Sequence, residues 1–331
     1  MTLFLHGLGH FHPENEITNR FLEELDLGTS DAWILERVGI RSRRTVLPLD
    51  YLRETRNLDL RAANEAALYT NAELGRCAAE LALLRAGIDR SEVGMLIAGG
   101  SAPDSLTPAE ACWIARALGL EVPAFDVNSA CTSFLAQLFL LEAMRPEALP
   151  PFVLLVVPEI ATKIVRYDDR SGAVLWGDGA AAAVVSTRVP GRARILGTRL
   201  ASSPAGADKV VVPRLGWFAQ VGRAVQTFAI KKTVAVFDEL RDAFARPERA
   251  LHFVGHQANL RMLEAVCQRC GIPDERHHYN VDEYGNTAGA SSASVLSMRW
   301  EKWGPGDDVA VAGVGAGLTW AGYLLRFEGS G

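Results

Sequence analysis

Residues 125–144 read FDVNSACTSFLAQLFLLEAM, a short apolar strand, a polar turn and a long apolar run, with Cys131 at the junction. A strand that turns through Asn and Ser into a helix is the repeating unit of α/β sheets, and ligand sites in such sheets gather where strands give way to helices. The run after the turn is apolar nearly all round, as a helix buried on every side would be. Asn128 and Ser129 are N-cap residue types, so Cys131 is placed in the first helical turn, where unpaired N–H groups and the macrodipole favour thiolate over thiol. The same thiol also reads as an ordinary buried cysteine.

Outward from this stretch the alternation recurs. Strand-like runs begin at Thr2 (TLFLHGLG), Val93 (VGMLIAGGSA), Pro123 (PAFDVNSA) and Phe152 (FVLLVVPEIA), and helix-period segments begin at Leu60 and Thr107. The pattern predicts βαβ units and a mostly parallel sheet covered by helices. DGAAAAVVSTRV from Asp178 closes the first half. The second half runs through a strand from Arg192, a helix over 221–245, a strand from Leu251, a helix over 259–271 and a strand pair from Asp307. Two similar halves follow, 1–190 with the cysteine and 191–331. Residues 202–220, SSPAGADKVVVPRLGWFAQ, are the least regular stretch and read equally as a loop over a site or a plain connection.

Composition narrows the function. The chain has 331 residues, 49% hydrophobic and 22% charged, with net charge −5 and no long basic block, which argues against nucleic acid as the main partner. No run reaches membrane-span length and the N-terminus lacks signal-peptide features, so a cytoplasmic location is expected. Five cysteines at irregular spacing do not form a disulfide framework. Cys267 and Cys270 have the spacing of half a zinc site without a second pair, and His6, His10 and His12 read as chance clustering, so no metal is expected.

Partners for a catalytic thiol stand at other junctions. HFVGHQANLRML (252–263) puts His256 just past a strand, and DEYGNTAGASSASVL (282–296) puts Asn286 in a glycine-flanked turn before a helix. An amide donor beside a neutral imidazole suits a thioester carbonyl or an enolate oxygen. In GVGAGLTWAGYLLRF (313–327) glycines flank Ala316, whose N–H could join that of Cys131 as an oxyanion hole. Taken singly, a histidine near a helix cap, an asparagine turn and a strand-linking turn are each ordinary structural features.

Together the segments DVNSACTSF, GHQANLRML, YGNTAGAS and GAGLTW, with TSDAWILERVGIRSR near the start and DDRSGAVLWGDGAAAAVV in the centre, resemble β-ketoacyl-acyl-carrier-protein synthase III, a condensing enzyme of the thiolase superfamily. The resemblance covers nearly the whole chain. It implies a five-layered αβαβα fold with duplicated halves, a homodimer, and a Cys131–His256–Asn286 set with the amides of Cys131 and Ala316 as oxyanion hole. The implied reaction is acylation of Cys131 by acyl-CoA or acyl-carrier protein, then decarboxylative Claisen condensation with a malonyl-type thioester to give a β-ketoacyl product, without metal or redox cofactor. Trp33 and Arg37 would meet the adenine end of CoA, Arg261 its phosphates or a carrier protein, and Asn259 the pantetheine. Lys163 falls where the family often has arginine. Thr107 replaces an aromatic residue with which the partner subunit closes the acyl pocket, and Val314 replaces a phenylalanine beside the histidine. These departures point to a longer or oxygenated acyl group and a secondary-metabolic role. Acyl transfer from the same thiol to an alcohol, an amine or a β-ketoacyl thioester, and a catalytically silent partner of such enzymes, are the alternatives.

Overall fold

The computed structural model describes residues 2–328. Its centre is a nine-stranded sheet built from β1 (Leu3–Phe11), β2 (Val93–Ala98), β3 (Ala124–Asp126), β4 (Phe152–Glu159), β5 (Gly179–Ser186), β6 (Ala193–Ser202), β7 (Ala250–Gly255), β8 (Asp307–Gly315) and β9 (Thr319–Phe327), in the spatial order β7-β8-β9-β6-β1-β5-β4-β2-β3. Only β7/β8, β2/β4 and β2/β3 are parallel. The sheet is therefore mixed, not mostly parallel as the alternation suggests. Short links such as the three residues between β8 and β9 can only return the chain antiparallel.

The strands are buried on both faces, and this produces the layers. Along β4, Leu154 and Val156 pack outward against the helix α2 (Asn71–Ala86), which itself packs on α3 (Glu110–Leu118), while Val153, Leu155 and Val157 face an inner core. Along β8, Ala310 and Ala312 meet the outer helix α5 (Gly222–Phe244), and Val309 and Val311 face that same inner core. Filling the inner core are α4 (Ser133–Ala143), through Phe134, Leu135 and Leu138, and α7 (Ser291–Met298), through Ala293, Val295 and Leu296. Period-two alternation thus sends successive side chains of one strand into different layers, with α4 and α7 in the inner one.

Local sequence explains the element ends. The apolar run from Leu60 is two helices, Leu60–Ala66 and α2, because Thr70 and Glu73 form a reciprocal capping box that starts a new helix. The turn before α4 also departs from expectation. Neither Asn128 nor Ser129 caps α4: a 3-10 turn, Ala130–Thr132, intervenes, and the Asn128 side chain instead accepts the Ala130 N–H at 2.9 Å. No helix of the described residues is long and apolar enough to cross a membrane.

Candidate active site

The Cys131 turn is held by its own polar side chains. Ser133 Oγ accepts the Ser129 N–H (2.9 Å) and donates to the Ala130 carbonyl (2.7 Å), while Thr132 Oγ1 donates to the Ser129 carbonyl (2.7 Å). Ala130 adopts a left-handed conformation (φ 48°), which turns the chain sharply before the thiol at a cost of roughly 1 kcal/mol. Gly315 at the end of β8 crosses this turn so closely that a Cβ there would lie 3.2 Å from both the Ser129 oxygen and the Thr132 nitrogen. The close approach brings the next amide, Ala316 N–H, near the Cys131 sulfur, where it and the Cys131 N–H both favour the charged thiolate.

Cys131 opens partly onto a cavity, yet the protein around its sulfur is dense. Burial, with the nearby Glu159 carboxylate second, pushes the thiol up to about 12, and the two amides only partly oppose this. The thiolate-favouring helix terminus expected from the sequence is outweighed, because α4 begins two residues later and desolvation penalises the charged form. Glu159, at the end of β4, is itself buried and is raised to about 7, mainly by desolvation; it accepts the N–H groups of Ser101 and Gly289, each at 2.9 Å.

His256 follows β7 and donates its backbone N–H to the Ala312 carbonyl at 2.9 Å. Burial alone lowers the imidazole to about 4, so it is neutral near pH 7. Its Nδ1 lies 2.8 Å from Ser291 Oγ. Asn286 is 5% exposed, and its Oδ1 accepts the Ala288 N–H at 2.9 Å. That bond commits the oxygen and leaves the Nδ2 amide as the group presented to the cavity.

One cavity of about 260 Å³ is lined by Cys131, His256, Asn286, Val314 and Ala316 and, towards its mouth, by Trp33, Arg37 and Asn259. A second, of about 150 Å³, shares Cys131, Trp176, Phe218 and Ala316 with the first and adds Ser101, Glu159 and Ile164. Cys131 stands where the two meet. Ser101, Ala102, Ile164 and Val212 also belong to an outer groove of about 840 Å³, so the second cavity continues towards the surface. The irregular stretch 202–220 does cover the site, through Val210, Val212 and Phe218.

The remaining candidate residues divide. Trp33 and Arg37 lie on α1 (Asp31–Arg37), and the Trp33 ring is flanked by the guanidinium groups of Arg37 (5.8 Å) and Arg170 (4.8 Å), a neighbour the sequence reading missed. Asn259 caps α6 (Leu260–Cys270) by accepting the Met262 N–H at 2.8 Å. Arg261 is outside the cavity lining: it donates to the Leu35 carbonyl at 3.1 and 2.8 Å and pairs with Glu264. Lys163 does not line the cavity that holds Trp33 and Arg37; it is on the wall of the outer groove, where it pairs with Asp104 at 2.5 Å and bonds Asn64 at 3.0 Å. Thr107 is exposed and lines neither cavity of its own protomer.

Comparison with known proteins agrees with this arrangement. Residues 125–204 match the family model 3-oxoacyl-[acyl-carrier-protein (ACP)] synthase III, and residues 240–327 match the model for that enzyme's C-terminal part. Beta-ketoacyl-[acyl-carrier-protein] synthase III of Aquifex aeolicus is 31% identical across 97% of this chain and 98% of its own. The chain belongs to the 3-oxoacyl-[acyl-carrier-protein] synthase III family. These are condensing enzymes of the thiolase fold. The crystal structure of the Aquifex aeolicus synthase superimposes with a TM-score of 0.87 at 30% identity, over 98% of this chain and all of that one. The priming β-ketosynthase of the R1128 polyketide pathway superimposes with a TM-score of 0.82 at 28% identity, over 98% of this chain and 96% of that one.

Proposed function

We propose that this synthase III relative loads an acyl group onto Cys131 from acyl-CoA or acyl-carrier protein and condenses it with a malonyl-type thioester. The observation that carries the reading is the convergence of Cys131, His256, Asn286 and the Ala316 amide on one cavity whose mouth holds Trp33 and Arg37. In the first step the Cys131 sulfur bonds the thioester carbonyl carbon, the tetrahedral oxyanion rests on the amides of Cys131 and Ala316, and the carrier thiol leaves with the proton. In the second, the malonyl carbon–carboxylate bond breaks and CO2 departs. His256 and Asn286 hold the resulting enolate oxygen, and its carbon attacks the acyl carbonyl and expels the Cys131 thiolate.

Trp33, with Arg37 and Arg170, suits an adenine ring and its phosphates; Asn259 lies where a pantetheine arm would pass. The second cavity, with its continuation past Ser101 and Ile164, suits an acyl chain longer than acetyl, and Glu159 on its wall suits an oxygenated one. The reaction as written uses no metal or redox cofactor. A homodimer fits because Thr107 can act at an acyl site only in a second copy, and we place the enzyme in the cytoplasm.

The test is intact-protein mass spectrometry after incubation with a panel of acyl-CoAs and acyl-carrier proteins, followed by CO2 release from malonyl thioester. An acyl mass on the wild type that is absent from Cys131→Ala, with CO2 released, supports the reading. Acylation without CO2 release would turn it into simple acyl transfer to an alcohol, an amine or a β-ketoacyl thioester. Absence of any adduct would remove the nucleophile altogether.

A further inference from the structure

Ser291 is the first residue of α7, buried, and outside both cavities. Its hydroxyl oxygen lies 2.8 Å from His256 Nδ1 and also accepts the backbone N–H of Gln257 at 3.3 Å. A serine hydroxyl carries one proton and two acceptor sites. The Gln257 N–H occupies one acceptor site, and Ser291 Oγ meets no other acceptor among the described residues, so the hydroxyl proton has one destination, His256 Nδ1.

We infer that Ser291 is a positioning residue that holds His256 in the tautomer with its proton on Nε2, the nitrogen turned towards the Cys131 cavity. A neutral imidazole has one proton for two nitrogens, and whichever bond one nitrogen makes decides what the other can do. With Nδ1 accepting from Ser291, Nε2–H becomes a donor beside the Asn286 amide, whose oxygen is committed to Ala288 in the same way. Two side chains are thus set as donors by two bonds made behind the site. In this tautomer Nε2 has no lone pair with which to take the Cys131 proton, so His256 works as an electrophile towards the malonyl thioester and not as the base for the thiol. The Gln257 side chain keeps the arrangement rigid: its amide donates to the Gly255 carbonyl at 2.7 Å, and its oxygen accepts the N–H groups of Asn280 and Val281 at 3.1 and 3.2 Å.

The inference rests on the condensing reaction proposed above, and two measurements separate its failure from the failure of that reading. In the wild type, 15N NMR of labelled histidine, with His256 assigned by the signal lost in His256→Asn, is expected to show Nδ1 as the unprotonated nitrogen. In Ser291→Ala that signal should move towards the average of two tautomers. CO2 release from malonyl thioester should fall about tenfold, one hydrogen bond's worth of bias, mostly in kcat. Acylation of Cys131 by acyl-CoA serves as internal reference, and Ser291→Thr, which keeps the hydroxyl, should restore most of the loss. A wild-type spectrum with the proton on Nδ1 overturns the inference whatever the variants do, as does a Ser291→Ala enzyme that releases CO2 within twofold of wild type. Failure of wild-type Cys131 to acylate would instead overturn the proposed function, leaving the tautomer to be read from the spectrum alone.

Discussion

Replacing Asn286 by aspartate separates what this residue does for the fold from what it does for the reaction. The Asn286 oxygen accepts the Ala288 N–H at 2.9 Å in a site that is 5% exposed. An aspartate keeps that acceptor, so the turn into α7 stays capped, and the Tm loss, several degrees, reflects only the burial of a carboxyl group. What disappears is the Nδ2–H donor, and a carboxylate oxygen takes its place facing the developing enolate. Loss of one donor to an oxyanion costs roughly 2.7–4 kcal/mol of transition-state stabilisation, or about 100- to 1,000-fold in rate. CO2 release from malonyl thioester by Asn286→Asp, measured with radiolabelled malonyl-CoA, should fall by that factor, while intact mass spectrometry still finds the acyl group on Cys131. Asn286→Ala should lose as much activity and, in addition, leave the Ala288 N–H unpaired, at about 1–3 kcal/mol of stability and several degrees of Tm. If Asn286→Asp retained more than about a tenth of the wild-type decarboxylation rate, the assignment of Nδ2–H as a working donor would be refuted.

Two further outcomes follow from the same geometry. Because burial and the Glu159 charge push the Cys131 thiol up to about 12, its thiolate fraction grows with pH throughout the accessible range. Alkylation of the resting enzyme by iodoacetamide, followed by mass spectrometry, should therefore quicken about tenfold per pH unit from 7 to 10 without levelling. Glu159→Gln should quicken it at any one pH by removing a charge that opposes the thiolate, and a plateau with its midpoint below pH 9 would contradict the account. Lys163→Met, which leaves the solvent-reachable Asp104 without its partner, should cost no more than about 1 kcal/mol of stability in thermal unfolding. Its KM for acyl-CoA should stay within twofold, because Lys163 lies away from the larger cavity; a tenfold rise would return it to the CoA site.

Much of the site was legible in one dimension because each chemical residue occupies a strand-to-helix junction or a glycine-flanked turn, and those junctions leave periodic signals. Cys131, His256 and Asn286 each follow a recognisable local pattern, and the glycines around Ala316 announce a backbone that comes close to something. Other placements depend on partners far away in the chain. Ser291 meets His256 across 35 residues and was hidden in a small-residue run, GASSAS, that reads only as helix. Arg170, at the start of a short helix 137 residues after Trp33, could not be assigned to its ring from spacing.

The sequence by itself determined the order of most strands and helices and singled out Cys131, His256 and Asn286 as residues of one cavity. These depend on periodicity, turn chemistry and residue type, which act over a few neighbours. The tertiary structure alone decided that the sheet is mixed, since pairing direction follows from which strands the links bring together. It also decided that Lys163 is tied to Asp104 on the outer groove. At Cys131 it reversed the expected balance, because desolvation comes from the packed surroundings of the sulfur, and no reading of FDVNSACTSF can say how much protein will close around it.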